Sequence, residues 1–467
     1  MIKSEKLTEF RQQAYLLGRY LRQYKENGEY DSRAEELVNR GLLLRQQFPE
    51  EEDPIGFLLH MMSRDEVYEA YDRKHCPILI YKSDPICYGV LNSFADEIAK
   101  NLDAMGYLVE IHEVLPGREE ELLQYTSLRF RAIIGIQTYA FSIRLGDGRN
   151  LHDTMEGPKY NLIFDHPVWL KNHLENAPKD LYVITHDRNY VSFVEKYFPE
   201  VKGTFLIPPG GALYPREVEK KYPLTFVGSY HDPCLWQEEF VKANEASNGI
   251  AALFLEEAKA HRKQTWEASL QKVVAAKVQR GEMQELSPRE FRELLFLVKP
   301  VCFIVMCQIR EQIIEQILGS GLELHVFGDS WRHEHWKGYS GLILHPQVTP
   351  EESLKVYRQS KLSLNIMSWH KDSMTERVAN MMINRCLVVS DESGYLVERY
   401  GGEEPDMLLF DLEKIRELPG QIRYYLEHDN KRRATVERAY QKAIQDETWE
   451  KRTGEIVKAI KNSCVYL

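Results

Sequence analysis

The sequence predicts an α/β protein with two Rossmann-like, doubly wound domains facing across a cleft, plus an N-terminal helical region and a helical insertion. Three observations carry this. The chain has 467 residues, more than one hydrophobic core ordinarily holds. Between residues 77 and 207, six short apolar runs alternate with amphipathic segments, the pattern of a parallel sheet covered on both faces. After residue 222 the alternation starts again with six more runs.

Taken in order, residues 1–71 have helical periodicity, with Tyr15, Leu16, Tyr20, Leu21, Leu37, Leu42 and Leu43 forming apolar stripes. They read as a helical cap on the next domain, with a protein-binding module as the alternative. Residues 72–221 form the first domain, with strands at 77–81, 107–114, 131–138, 160–164, 181–185 and 204–207. Pro208-Pro209-Gly210-Gly211 is the expected hinge. Residues 222–440 form the second domain, with strands at 224–227, 323–327, 342–344, 362–366, 387–390 and 407–410. Between the first two of these lies a helical insertion, 235–318, rich in Glu, Lys, Gln and Ala. It is expected outside the ligand pocket, as an acceptor or homo-oligomer surface that buries the apolar stretch 301–307. Residues 441–467 are a C-terminal helix packing back toward the first domain.

Composition narrows the function classes. A net charge of −11 leaves no basic excess for a nucleic-acid backbone. The seven cysteines include no CxxC pair, which fits reduced thiols in a cytoplasmic protein. The N-terminus lacks the apolar region of a signal peptide. The most apolar stretch, 294–309, is interrupted by Lys299-Pro300 and falls short of the roughly 20 residues of a membrane helix. No metal-ligand spacing, GxxxxGK[ST] or GxGxxG occurs, so neither a metal nor a cofactor is expected.

The strongest local signal is KLSLNIMSWHKDSMTERVANMMINRCLVVSDES, residues 361–393, which reads as strand, polar turn, helix and strand. The turn falls where the first strand ends, so the helix starts near Ser373 to Thr375 at the edge of the cleft. Free amides and the helix dipole there favour an anion such as a diphosphate. Lys371 adds charge and the hydroxyls of Ser373 and Thr375, on either side of Met374, add donors. Capping of the helix by Asp372 or Ser373 is compatible with that role. Glu376 and Asn380, four apart on one helix face, suit ribose hydroxyls. Gly228 and Ser229 end the first strand of the second domain, where their amides can meet a phosphate. In the first domain Asp165-His166 ends a strand. His166 can handle a proton and Asp165 can orient it or act as base; the alternative is a strand-end turn with a satisfied histidine. His186-Asp187-Arg188 ends the next strand, where Arg188 can instead pair with Asp187.

The segment VTPEESLKVYRQSKLSLNIM followed by SMTERVANMMINRCLVVSDES resembles retaining glycosyltransferases of the GT-B fold, and most nearly the bacterial spore-maturation, glycosyltransferase-like family. FDHP at 164–167, THDRN at 185–189, TFVGS at 225–229 and VFGD at 326–329 follow in the same order, so the resemblance spans about residues 75–460. It implies a metal-independent sugar transfer from a nucleotide sugar such as a UDP-sugar, bound by the second domain, to a protein or surface-glycan acceptor on the first. It also implies a functional histidine near 166 and two glutamates, whose places are taken by Asp372 and Asn380. Arg385 and Leu387 stand where Gly and Pro are usual. These departures leave two alternatives: a nucleotide-sugar-binding scaffold, or a sugar epimerase on the same fold.

Overall fold

The computed structural model describes residues 77–83 and 89–463. The helical reading of residues 1–71 lies outside the described residues. The first domain holds β1 (Ile78–Ser83), β2 (Val109–Val114), β3 (Ala132–Ile136), β4 (Lys159–Ile163), β5 (Leu181–Thr185) and β6 (Gly203–Leu206), in the order β2-β1-β3-β4-β5-β6. Every pairing is parallel. Its helices are α1 (Val90–Ala104), α2 (Lys171–Glu175) and α3 (Arg188–Tyr197). The inner strands β3, β4 and β5 are buried at every residue, which is why their sequences are runs rather than alternations. Even Lys159 is buried, its ammonium donating to the Met155 carbonyl at 2.9 Å.

The second domain repeats the plan with β7 (Tyr222–Val227), β8 (Leu324–Phe327), β9 (Leu342–His345), β10 (Ser360–Asn365), β11 (Leu387–Asp391) and β12 (Leu408–Phe410), in the order β12-β11-β10-β7-β8-β9. All twelve apolar runs thus become strands, and the chain passes from one sheet to the other between Leu206 and Tyr222.

The insertion is helical: α4 (Gln237–Ala246), α5 (Ile250–Ala260), α6 (Trp266–Gln279), α7 (Pro288–Leu297) and α8 (Pro300–Gly319). Its apolar stretch needs no second copy. Val301, Cys302 and Val305 of α8 are at most 1% exposed inside the chain's own core. The layer is also fastened to the first domain. Arg292 of α7 reaches Glu175 at 2.5 Å and the Tyr197 carbonyl at 2.5 Å, and Phe291 stacks on Tyr197 at 5.4 Å. Nor does all of it stand apart from the cleft, because α8 carries Arg310 to it.

After α9 (Pro350–Gln359), α10 (Glu376–Ile383), α11 (Gly394–Tyr400), α12 (Leu418–Glu427) and α13 (Asp429–Asp446), the chain crosses back as α14 (Trp449–Ser463). The crossing falls at Glu447–Thr448, beyond the expected boundary at 440, which lies inside α13. Trp449 meets Phe94 of α1 at 4.9 Å, and Ile456 and Ile460 join Ile78 and Ile80 in one core.

The expected hinge is threaded between these elements. Ala212 donates its amide to Asn380 Oδ1 at 2.9 Å and Tyr214 to Asn384 Oδ1 at 2.7 Å. A Cβ on Gly210 would stand 2.5 Å from the Trp449 amide nitrogen, and one on Gly211 2.7 Å from the Ala379 carbonyl carbon. Backbone on both sides cannot yield, so glycine is required there for close approach. Gly211→Ala is expected to cost about 1–3 kcal/mol by overpacking and to enlarge the radius of gyration as the domains separate. Gly420→Ala in α12, where the added carbon meets nothing within 4 Å, is expected to be neutral or stabilising by up to about 1 kcal/mol. Urea unfolding with small-angle scattering on both variants checks the pair; equal behaviour would remove the packing argument.

Candidate active site

A cavity of about 500 Å³ lies between the carboxyl ends of the two sheets. From the first domain it is lined by Gln137, Asp165 and His186, which follow β3, β4 and β5, and by Leu91 and Phe94 of α1. From the second come Gly228 and Ser229 after β7, Gly328 after β8, Trp369 and His370 after β10, and Thr375, Glu376 and Arg377 at the start of α10. Ligands of open parallel sheets bind at such edges.

On the first-domain wall, Gln137 holds a left-handed backbone (φ 46), a conformation a non-glycine residue adopts at a cost of about 1–3 kcal/mol. Its carboxamide donates to Asp165 Oδ2 at 2.9 Å and accepts the Phe164 amide at 2.8 Å. The strained residue thus fixes the carboxylate at the strand end. Burial raises the Asp165 pKa, and the Gln137 amide opposes that rise.

The opposite wall is cationic. Arg310 donates from Nη1 to the Ser229 carbonyl at 2.7 Å, and its Nε is buried without a partner. Burial lowers its pKa to about 10, with the Arg377 charge acting the same way, so it remains a cation at neutral pH. Among the described residues no carboxylate within 4.0 Å pairs with either arginine. Thr375 is the N-cap residue of α10, but its hydroxyl donates to Asn365 Oδ1 at 3.2 Å rather than capping. No side chain therefore covers the first amides of α10, and the two arginines stand beside them. This is a site built for an anion.

The 371–375 turn is placed differently from the sequence expectation. Lys371 does not line the cavity: its ammonium donates to the carbonyls of Arg262 and Ser368. Burial lowers its pKa to about 8. Asp391 accepts the amides of Met367 and Ser368 at 2.7 and 2.8 Å, so lysine and aspartate together set the loop after β10. Asp372 faces Arg188 at 3.4 Å and donates its amide to Asp187 at 3.1 Å, and Ser373 bridges to Asp187. Met374 is fully buried in the core beneath α10. The turn therefore fastens one domain to the other, and α10 begins at Glu376, with Thr375, the last of the expected start positions, as its N-cap residue. Asn380 is also structural, holding the linker at Ala212. His166 is the satisfied histidine: Nδ1 accepts the Val168 amide at 3.2 Å, and the ring packs on Phe193 at 4.7 Å.

Of the expected site residues, Asp165, Gly228, Ser229, Thr375 and Glu376 meet at the cavity; His166, Lys371, Asp372, Ser373, Met374 and Asn380 do not line it. Sequence reasoning missed Arg310, Arg377, His370, Gln137 and Trp369. Arg310 had one usable signal, an isolated cation in the apolar stretch of α8. Arg377 lay one residue past the motif, at the helix start already singled out. Among the described residues no group of three or more His, Cys, Asp or Glu side chains could hold a metal ion, and no helix is long and apolar enough to cross a membrane.

Several imidazoles are locked in the neutral form by burial: His152 to about 3, His166 to about 3 and His186 to about 4, from an ordinary 6.5. Above pH 6.5 neither the folded nor the unfolded chain protonates them. Below it the unfolded chain gains protons that the folded chain refuses, so stability falls as pH drops toward 4, by up to about 1.4 kcal/mol per pH unit for each imidazole. His152→Gln, in the first-domain core, is expected to flatten the stability-against-pH slope between pH 6.5 and 5 by up to that amount. An unchanged slope in urea titrations would contradict the assignment.

The glycosyl transferase-like family matches residues 309–458, about a third of the chain, from Ile309 in α8 to Lys458 within α14. No curated protein matches the sequence. Among solved structures, sucrose-phosphate synthase from Thermosynechococcus elongatus aligns at 12% identity over 83% of this chain and 98% of its own, with a TM-score of 0.47. The Anabaena protein HepE bound to UDP-glucose aligns at 11% identity over 83% and 99%, with a TM-score of 0.45. An α-glucosyltransferase bound to UDP and DNA aligns at 10% identity over 82% and 99%, with a TM-score of 0.49. The chain thus has two facing parallel six-stranded sheets with a cavity between them, and its residues 309–458, which supply the cationic wall of that cavity, match the glycosyl transferase-like family.

Proposed function

We propose that the chain transfers a sugar from a UDP-sugar, held by the second domain, to a hydroxyl presented by the first. The observation that carries this is the Arg310–Arg377 pair at the uncapped start of α10, across the cavity from Asp165. The diphosphate lies against the two guanidiniums, the amides of α10 and the 228–229 turn. Glu376, also lining the cavity, takes the ribose. In the transfer the acceptor oxygen bonds to the anomeric carbon, the bond from that carbon to the diphosphate breaks, and the electron pair leaves with the diphosphate. Fixed cations and amides stabilise that charge without rearrangement, which is the case for metal independence.

The resemblance of residues 348–393 to retaining enzymes, the spore-maturation-like proteins among them, supports a retaining outcome. The departing diphosphate oxygen then takes the acceptor proton and Asp165 orients the acceptor hydroxyl, which belongs to a protein or a glycan. Asn380 and Arg385, the departures that favour a scaffold reading, have structural work of their own, Asn380 holding the linker at Ala212 and Arg385 pairing with Glu437, so they do not count against catalysis.

Calorimetry with UDP and UDP-glucose, and donor hydrolysis with and without EDTA, test this. Arg310→Gln removes charge-assisted hydrogen bonds worth about 1.5–3 kcal/mol each, so UDP should bind roughly 10- to 100-fold more weakly. Asp165→Asn should leave UDP affinity within about two-fold and lower turnover. EDTA should change neither binding nor hydrolysis. A parent protein that binds no nucleotide would overturn the reading.

A further inference from the structure

We infer that the helical insertion is a strap that keeps the cleft closed in the absence of ligand, and that it does so by gripping the segment that carries Asp165. This goes beyond the proposed reaction; only its effect on turnover rests on that reading. Two domains of one chain ordinarily shift against each other unless the surface between them is large and apolar. Here that surface is continuous core: Phe193, Tyr197 and Phe198, in and just after α3, share one buried apolar cluster with Phe291, Leu295 and Val298, in and just after α7. The opposite face of the first sheet is taken as well, because α14 joins α1, Ile78 and Ile80 in a separate cluster there. Leu79 and Tyr81, which alternate with those isoleucines along β1, belong to the cluster that meets the insertion. The first sheet is thus held from both faces, and a hinge motion toward one face pulls apart the contact on the other.

The grip falls on the residues that follow Asp165. Within the segment 165–175, Trp169 stacks on Phe303 of α8 with ring centres 4.7 Å apart. The Lys171 ammonium lies 3.0 Å from Glu293 Oε1 of α7, and Glu175 takes the Arg292 guanidinium at 2.5 Å. Arg292 is buried and also donates to the Tyr197 carbonyl. Separating a buried pair of this kind strands a charge without compensation, so the contact resists opening. Phe303 is held on its other face by Trp236 at 4.2 Å, and Trp169 reaches Trp369 of the cavity wall at 6.3 Å. Phe303 stands about two turns before Arg310 on α8, on the same side of the helix. The stack therefore ties the strand end bearing Asp165 to the helix bearing Arg310, and sets the carboxylate of one domain against the guanidinium of the other. Trp169 and Arg292 are positioning residues that act through Asp165 and α8.

Small-angle scattering and calorimetry on the full chain test this. The parent's radius of gyration should match the closed arrangement without ligand and stay the same with saturating UDP. Trp169→Ala and Arg292→Ala are expected to enlarge it, and the double variant to enlarge it most. Turnover is followed with whichever of UDP-glucose, UDP-galactose and UDP-N-acetylglucosamine the parent hydrolyses fastest. The same variants should lower kcat roughly 10- to 100-fold, the scale of a displaced catalytic group. Their UDP affinity should stay within about two-fold, because the proposed diphosphate and ribose contacts lie in the second domain. Trp169→Phe, which keeps a ring on Phe303, should recover most of both losses. A parent whose radius of gyration falls on adding UDP would overturn the strap. So would a Trp169→Ala variant that scatters and turns over like the parent. If a variant does not fold, the parent's radii with and without UDP still decide. A parent that binds no UDP would bring down the proposed function instead, and the ligand-free radii of parent and variants would still decide this inference.

Discussion

The molecule depends on a linker with no room for a side chain. Gly210 presses on the first residue of α14 and Gly211 on the backbone of α10, so the chain leaving the first domain is held between two helices. The ladder to Asn380 and Asn384 then fixes its path. With α14 returning to pack on α1, the 371–375 turn fastened to Asp187 and Arg188, and Arg292 of α7 bound to Glu175, the domains meet at four places in sequence. These contacts bring the carboxyl ends of two separate sheets to one cavity.

The cavity gathers its arginines on one side. Its second-domain side carries Arg310, Arg377, Glu376 and the start of a helix, while its first-domain side carries one carboxylate whose charge is disfavoured by burial. Between them stand two neutral imidazoles. A ligand with an anionic end and a neutral, hydroxyl-rich end matches that order. Desolvation is the common cause, since it keeps the histidines uncharged and makes a pair of close guanidiniums worth holding only beside an anion.

Short runs within the site region divide the labour between scaffold and chemistry. Lys371 and Asp391 shape the loop after β10, which sets where Trp369 and His370 project. Asp372 and Ser373 hold the domains together. After Trp369 and His370, the run returns to the cavity only from Thr375. A single stretch of sequence rich in polar residues thus contains three roles that composition cannot separate. The identity of a polar side chain does not say whether its partner is a neighbouring domain or a ligand.

The sequence by itself determined the architecture. Strand burial is written as apolar runs because a strand covered on both faces has no polar side, and the second set of runs announced a second sheet. It also determined which strand ends carry polar residues, so Asp165, Gly228, Ser229, Thr375 and Glu376 were legible as cavity residues. Tertiary structure decided the rest. Lys371 and Asn380 are consumed by contacts between segments far apart in the chain, the Arg262 carbonyl and the linker at Ala212, and His166 packs on Phe193 of α3. Arg310 comes from a helix that only packing could aim, because a helix's phase relative to a distant strand end is set by the core beneath it. His186 and His370 are 184 residues apart in number and belong to different sheets. Their juxtaposition exists only where the two domains close on each other.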